Sequence, residues 1–264
     1  MTKFDAKNYW ENRLKNNYGL HGVGRIGLGV NYNNWQYKVR RQVFLKHIPK
    51  IIPNIQEASV LDIGSGTGFY IERWKELQAK KITGSDITDV AIEKLRSKYS
   101  DTAFFSLDIG AYIDKPEMEN NFDVISAFDV LFHIVDDLRY KQAFVNIHRM
   151  LKPGGYFVFS DNFLHRAAVR QQHIVWRSLE EICEIVEDSG FEIVTRKPMF
   201  FFMNYPSDSE NRLLIRSWHL MQRFIRMHEC SGWLCGAILY PLESLLLSVK
   251  KESPASEMMV CRKK

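Results

Sequence analysis

Cysteine is scarce, at four residues in 264. Cys183, Cys230, Cys235 and Cys261 are too scattered to read as a disulfide framework, and reduced thiols in a cytoplasm are the expectation. Zinc-ligand spacing is missing too: His228, Cys230 and Cys235 have no second ligand pair, so no metal is expected. No run reaches the roughly 20 apolar residues that a bilayer span needs. The nearest approach, Gly232 to Val249, is interrupted by Pro241 and Glu243. The first residues hold no apolar stretch of signal-peptide length, which again gives a cytoplasmic expectation. Charge of one sign is not concentrated. With 36 basic and 31 acidic residues the net charge is +5, short of a dedicated nucleic-acid binder. There is no internal repeat and no low-complexity tract.

What is present is a core-forming composition, 45% hydrophobic, arranged in a changing pattern. Residues 1–57 are polar, aromatic and helical in character, with Trp35, Val39, Val43 and Ile48 at mostly helical spacing. From residue 58 short apolar runs alternate with amphipathic segments. The runs are "SVLDI", "KITGSDI", "AFFSLDI", "FDVISAFDV" and "GYFVFSD"; "GFYIERWKELQ", "DVAIEKLRSKY" and "LRYKQAFVNIHRML" separate them. That alternation predicts a parallel sheet with helices on both faces. A further helix, "SLEEICEIVEDSG", opens on a capping box of Ser178 and Glu181 and stops at Gly190. Then come a strand in "FEIVTRKPMFFFM", a helical insertion at 207–250 and a last strand in "SEMMVCRK". The expected division is a helical cap at 1–57, a core at 58–206 and 251–264, and the insertion as a lid within the same domain.

The first apolar run ends in Asp62 and is followed by Gly64, Gly66 and Gly68. Three ligand classes use a glycine-rich turn between a first strand and a helix. A phosphate loop ends Gly-Lys-Ser/Thr, and here Phe69 and Tyr70 follow Gly68, so it is rejected. A dinucleotide turn needs a small residue where Phe69 stands, and Asp62 suits a pyrophosphate poorly. What remains is an acid followed by G-x-G-x-G, in which backbone approaches a zwitterionic group without phosphate. Two further acids end the next strands. Asp86, 22 residues after Gly64, is placed to accept from two ribose hydroxyls, and Asp108 from an adenine amino group. Three acids at successive strand ends line the crevice where open α/β sheets bind ligands.

On these motifs, "VLDIGSGTGFY", "GSDI", "SLDI", "FDVISAFDVLFHI" and "MLKPGGYFVFSD", the chain resembles the class I S-adenosylmethionine-dependent methyltransferases. The resemblance covers about residues 58–200 plus the last strand. It implies an α/β Rossmann-like doubly wound sheet of seven strands, order 3-2-1-4-5-7-6 with the last antiparallel, and S-adenosylmethionine as cofactor. It also implies that Asp62, Gly64, Gly66 and Gly68 surround the methionine moiety and that Asp86 holds the ribose with Ile87 against the adenine. By the same resemblance Asp108 and Ile109 meet the adenine edge, and Phe128 lies near the sulfonium.

Methyl transfer from a sulfonium requires alignment and exclusion of water, and an alcohol or phenol acceptor also gains from a general base. His133, just past the fourth strand, and His165, after the fifth, are the candidate bases, each with the alternative of a packing or loop histidine. His173 and Arg177 are weaker candidates, and Asp129 reads first as a cap. No Asn/Asp-Pro-Pro-Tyr run stands at the fourth strand, which by family analogy disfavours an adenine or glutamine amide nitrogen as acceptor. Two readings of the N-terminal segment stand equal: Tyr9, Trp10, Tyr37 and Arg41 close the pocket, with glycines 22, 24, 27 and 29 in a mobile lid, or the segment is an inert helical cap with a flexible linker. In the insertion, Arg212, Arg216, His219, Arg223 and Arg226 share one helix face. Leu214, Trp218, Met221 and Ile225 share the opposite one. With the apolar segment that follows, this is a lid that rests on an anionic membrane surface or receives a lipid-bearing or phosphorylated substrate, Trp218 among its contacts. The plainer reading, a solvated arginine face roofing the pocket, is preferred.

The expectation is a cytoplasmic methyltransferase acting on a small or amphipathic metabolite, at oxygen first and at nitrogen, sulfur or carbon second. A non-catalytic regulatory protein binding the same cofactor is the other class. No nucleic-acid partner is expected, and a nicotinamide dehydrogenase is disfavoured by Phe69.

Overall fold

The computed structural model describes residues 4–264. The apolar runs become strands: Ser59–Ile63 (β1), Lys81–Asp86 (β2), Ala103–Ser106 (β3), Phe122–Ala127 (β4) and Leu151–Asp161 (β5), parallel to one another. A short hairpin, Val169–Arg170 (β6) with Val175–Trp176 (β7), follows and was not anticipated from sequence. Phe191–Pro198 (β8) and Glu257–Lys263 (β9) complete one sheet of order β3-β2-β1-β4-β5-β9-β8, with β9 antiparallel to both neighbours. With the hairpin set aside, this is the expected 3-2-1-4-5-7-6 order.

The helices run Ala6–Asn16 (α1), Leu20–Val23 (α2), Gly29–Ile51 (α3), Phe69–Glu76 (α4), Asp89–Lys98 (α5), Asp137–Met150 (α6), Leu179–Asp188 (α7), Arg212–Ile225 (α8) and Glu229–Val249 (α9). Strand side chains alternate between faces, so each strand serves two cores. Val60, Val124, Val158 and Val260 point to a core shared with α3, α4 and α9. Leu61, Ile125, Phe157 and Phe159 point to the other, with α6 and α7. Ser178 caps α7 as expected, the Glu181 N–H donating to its Oγ at 3.1 Å, but the Glu181 carboxylate turns to Arg177 Nε at 3.4 Å, so only this half of the capping box forms.

The N-terminal helices and the insertion meet over one face of the sheet. The Val30 and Asn31 N–H groups donate to Glu229, each at 2.8 Å, which joins the start of α3 to the start of α9. Gly29, at φ 71°, permits this: a Cβ there would lie 2.5 Å from Glu229 Oε1. Of the glycines expected in a mobile lid, Gly22 and Gly29 lie in helices against close neighbours, whereas Gly27 is exposed with open space about it. Arg13 Nε donates to the Gly22 carbonyl at 2.7 Å, and its Nη2 to that of Gly24 at 2.5 Å. The glycines there allow close approach.

Candidate active site

The carboxyl ends of β1, β2 and β4 open into a cavity of about 700 Å³, within the roughly 300–1,000 Å³ of small-molecule sites. Its floor is the turn after β1, where Gly64 (φ 69°) and Gly66 (φ 53°) take left-handed backbone that an L side chain rarely adopts. A Cβ on Gly64 would lie 2.3 Å from Val130 Cγ2, so the turn could not follow this path with alanine.

Asp86 holds that turn in shape. Its Oδ2 accepts from the Gly66 N–H at 2.9 Å, and its Oδ1 from the Thr88 N–H at 2.9 Å and the Thr88 hydroxyl at 2.7 Å. Burial pushes its pKa up against these bonds. With three of its about four acceptor positions engaged, it has room for one ribose hydroxyl where two were expected. Asp108 is held by the Gly110 N–H and by Arg139, and both Asp108 and Arg139 line the cavity beside Ile109 and Ile134.

Asp62 differs from expectation. It does not line the cavity; it is buried behind the wall, its Oδ1 accepting from Ser126 Oγ at 2.7 Å, and Ser126 in turn accepts from Trp74 Nε1 at 3.0 Å. This relay ties β1, β4 and α4 together, so Asp62 positions the turn. Burial raises its pKa to about 7, with the Ser126 and Ser65 hydroxyls opposing. Asp161, fully buried with Oδ2 unpartnered, is likewise pushed up to about 7 by burial. A folded-state pKa above the unfolded value of about 3.9 means that the folded chain binds more protons between the two, so stability falls as pH rises from about 4 to 7. Between about pH 5 and 7.5 the unliganded protein should lose about 2–3 kcal/mol for each of these two carboxyls, about 5 kcal/mol together, or roughly 10–20 °C in Tm. Asp161→Asn should flatten that slope in calorimetry; a slope equal to that of the parent chain would contradict it.

The other end of the cavity is aromatic. Tyr70 stacks on Phe128 at 3.9 Å and 12°, and Phe69 meets Tyr37 edge-on at 4.7 Å. Behind them Arg40 Nη1 lies 2.6 Å from Asp129 Oδ2, an ion pair without the alignment of a hydrogen bond. Burial opposes the Arg40 charge, but Asp129, Tyr70 and Tyr37 outweigh it and raise its pKa. Asp129 lines the cavity in left-handed backbone (φ 58°), held by its N–H to Ser160 Oγ at 2.8 Å and by the Ser160 hydroxyl on Oδ1 at 3.1 Å. A strained, non-glycine residue at a cavity wall is a functional signal that no sequence pattern announced.

Gly64, Gly66, Asp86, Ile87, Asp108, Ile109, Phe128, His133, Trp10 and Tyr37 come together here. The other expected residues stand elsewhere. Gly68 caps α4, where a Cβ would lie 2.6 Å from Tyr99 Cε2. Tyr9 stacks on His173 at 5.1 Å, outside the wall. Arg41 turns outward to Glu76 at 2.7 Å. Trp218 is buried beneath α8, with the Arg25 guanidinium 5.8 Å from its ring. His165 is half-exposed and bound to Asp208 through both its backbone N–H and its Nδ1, at 2.7 and 2.6 Å. That pairing holds it away from the cavity. Arg177, fully buried, lies 3.6 Å over the Tyr140 ring and bonds Asp137 at 2.7 Å, a structural post.

His133 is the histidine the cavity retains. Its Nδ1 lies 2.9 Å from the His173 carbonyl, which requires the proton on Nδ1 and leaves the lone pair on Nε2. Burial, opposed by that carbonyl, lowers its pKa to about 4, so the ring is neutral near pH 7. Trp10 covers it edge-on at 4.8 Å.

Residues 35–196 match a family described as methyltransferase domain. The chain belongs to that family. S-adenosylmethionine is the cofactor of these methyltransferases, and solved neighbours hold it or S-adenosylhomocysteine. The chain is 26% identical over 208 residues to an mRNA cap guanine-N(7) methyltransferase of Caenorhabditis elegans, covering 69% of this chain and 52% of that protein. A demethylmenaquinone methyltransferase of Chlorobaculum tepidum is 29% identical over 148 residues, 56% of each. The chain spans about half the length of these curated relatives. Phosphoethanolamine N-methyltransferase 2 of Haemonchus contortus, solved with phosphomonomethylethanolamine and S-adenosylhomocysteine, shares the fold. Its TM-score is 0.58 at 19% identity, over 96% of this chain and 60% of that one.

The residues present fit the family's cofactor. The left-handed turn leaves no Cβ in its path, Asp86 keeps an acceptor position, and Asp108 faces the cavity. Bound S-adenosylmethionine would supply an electrophilic methyl group. Gly64 and Gly66 would seat its amino-acid end, Asp86 its ribose, and Asp108 with Ile109 its adenine.

Proposed function

We propose that this chain transfers the methyl group of S-adenosylmethionine to a hydroxyl oxygen of a small or amphipathic metabolite. The observation that supports this most directly is geometric: His133 stands in the cavity wall with its Nδ1 tied to a carbonyl, which leaves the lone pair on Nε2, while burial lowers its pKa to about 4 and makes it a weak base. The aromatic end formed by Tyr37, Phe69, Tyr70 and Phe128 would hold the apolar part of the acceptor and exclude water. The Arg40–Asp129 pair leaves a carboxylate beside those rings, which favours nitrogen or carbon as the second reading because ring faces and a carboxylate stabilise a developing cation.

A screen with labelled cofactor against cell-extract fractions, the lipid fraction included, would reveal the acceptor. On that acceptor His133→Gln should lower kcat by about 10²-fold or more while calorimetry shows S-adenosylhomocysteine binding unchanged. An undiminished rate would remove the base and move the reading to nitrogen or carbon. Cofactor binding without transfer to any fraction would favour a regulatory protein.

A further inference from the structure

By length and composition α9 could cross a bilayer, yet it lies along α3 with most of its apolar surface outward. Its inner face holds Gly232, Gly236, Glu243 and Leu247. Leu234, Ile238, Leu242, Leu245 and Val249, spaced as one helical stripe, are between 44% and 66% exposed on the opposite face. A surface helix ordinarily turns polar residues outward. Next to it α8 does the same. Besides the buried Trp218 and Ile225, it carries Leu213, Leu220, Phe224 and, just past its end, Met227, between 43% and 75% exposed. On a helical wheel these sit between the buried stripe and the exposed arginines 212, 216 and 223. Ile26 and Val30, 39% and 44% exposed, extend the surface at the end of α9 that Glu229 ties to α3.

Charge says what this surface faces. Arg212, Arg216, Arg223, Arg226, Lys250 and Lys251 belong to the segment, and its acids are mostly engaged within the fold. Asp208 holds His165, Glu229 the amides of Val30 and Asn31, and buried Glu243 those of Phe201, Phe202 and Met203. The Glu243 bonds also decide the orientation. A spanning α9 would carry that carboxylate into hydrocarbon after losing three donors, so the helix stays on the domain and only its outer face can reach lipid. Apolar stripes beside arginines on helices lying side by side are the signature of an in-plane interfacial surface.

We propose that the outer faces of α8 and α9 dock in the plane of an anionic phospholipid bilayer, the apolar stripes entering the headgroup boundary and the arginines pairing with lipid phosphates. The proposal is independent of the methyl acceptor's identity.

The test is co-sedimentation of the full chain with vesicles of phosphatidylcholine alone and of phosphatidylcholine with phosphatidylglycerol, at low and high salt. The chain should pellet with the anionic vesicles and be released by salt. Arg216→Glu with Arg223→Glu should weaken binding by about a hundredfold or more, as each basic residue near the surface contributes about fivefold and each reversed charge adds a repulsion of similar size. Ile238→Glu with Leu245→Glu should abolish it. All four positions are exposed, so Tm and S-adenosylhomocysteine affinity should stay unchanged and separate docking from folding and from cofactor binding. Absence of pelleting, or equal binding to neutral vesicles, would overturn the proposal. So would concentration-dependent dimerisation, lost in Ile238→Glu with Leu245→Glu and without vesicle binding, which would assign the surface to a second copy of the chain.

Discussion

Asp86→Ala should lower affinity for S-adenosylhomocysteine by about 10²- to 10³-fold, or roughly 3–4 kcal/mol, and lower Tm of the unliganded protein as well. Two losses add. The carboxylate no longer accepts from the ribose, and the Gly66 N–H, Thr88 N–H and Thr88 hydroxyl lose their acceptor inside the fold. Hydrogen bonds to a charged group contribute about 1.5–3 kcal/mol each, and a buried donor left unpaired costs a similar amount. The conservative replacement is informative here. Asp86→Asn can keep the two Thr88 bonds on its carbonyl oxygen, but its amide then meets the Gly66 N–H donor to donor. Asparagine should therefore recover the stability given by Thr88 while leaving cofactor affinity close to that of alanine. Calorimetric titration with S-adenosylhomocysteine and thermal unfolding measure the two quantities separately. Affinity equal to that of the parent chain in both variants would show that this turn does not hold the cofactor.

Where sequence was sufficient, the requirement was local. Positive φ at Gly64 and Gly66 and a strand ending in Asp86 are properties of a few consecutive residues; Asp108, expected to end a strand, stands two residues past the end of β3, and all of them meet at the cavity. Sequence could not show which way a side chain turns on an element buried from two sides. Arg40 and Arg41 are neighbours on α3, about 100° apart around the axis. The outward one was expected at the pocket, and the inward one holds Asp129. Tyr9 and Trp10 divide in the same way, with Trp10 reaching His133 and Tyr9 reaching His173. Phe69 and Tyr70 were informative as exclusions of phosphate and dinucleotide turns; their rings also form the cavity's aromatic end. Their place in the first turn of α4, directly above the glycine floor, was the available signal. His165 shows the remaining limit. Its partner, Asp208, is 43 residues away, and no spacing rule connects them. The apolar outer stripes of α8 and α9 were hidden for a related reason: a wheel shows opposed faces, and only the packed structure shows which apolar face has no neighbour.

Arg40→Met should lower stability by about 2–4 kcal/mol, because it leaves Asp129 as an unpaired carboxylate that is only 25% exposed, in strained left-handed backbone. Solvent reaches Asp129 from the cavity, which keeps the cost below that of a fully enclosed charge. Asp129→Asn should cost a comparable amount by leaving the Arg40 guanidinium, over the rings of Tyr37 and Phe200, without its anion. The double variant then separates pairing from packing. If the two groups act mainly on each other, Arg40→Met with Asp129→Asn should be more stable than the sum of the single losses predicts, by about 1–3 kcal/mol. Thermal unfolding of the four chains gives that coupling. The acceptor end supplies the second readout, since Asp129 is the carboxylate that faces the aromatic rings of the cavity. Strong coupling in stability together with a rise in acceptor KM in both single variants would place the pair at the substrate, Arg40 orienting the carboxylate and Asp129 meeting the acceptor. Additive stability losses would mean that Arg40 does not set the charge of Asp129. The carboxylate would then be available to stabilise the positive charge that develops on a neutral amine nitrogen as it takes the methyl group, which is the outcome that would most strengthen nitrogen over oxygen.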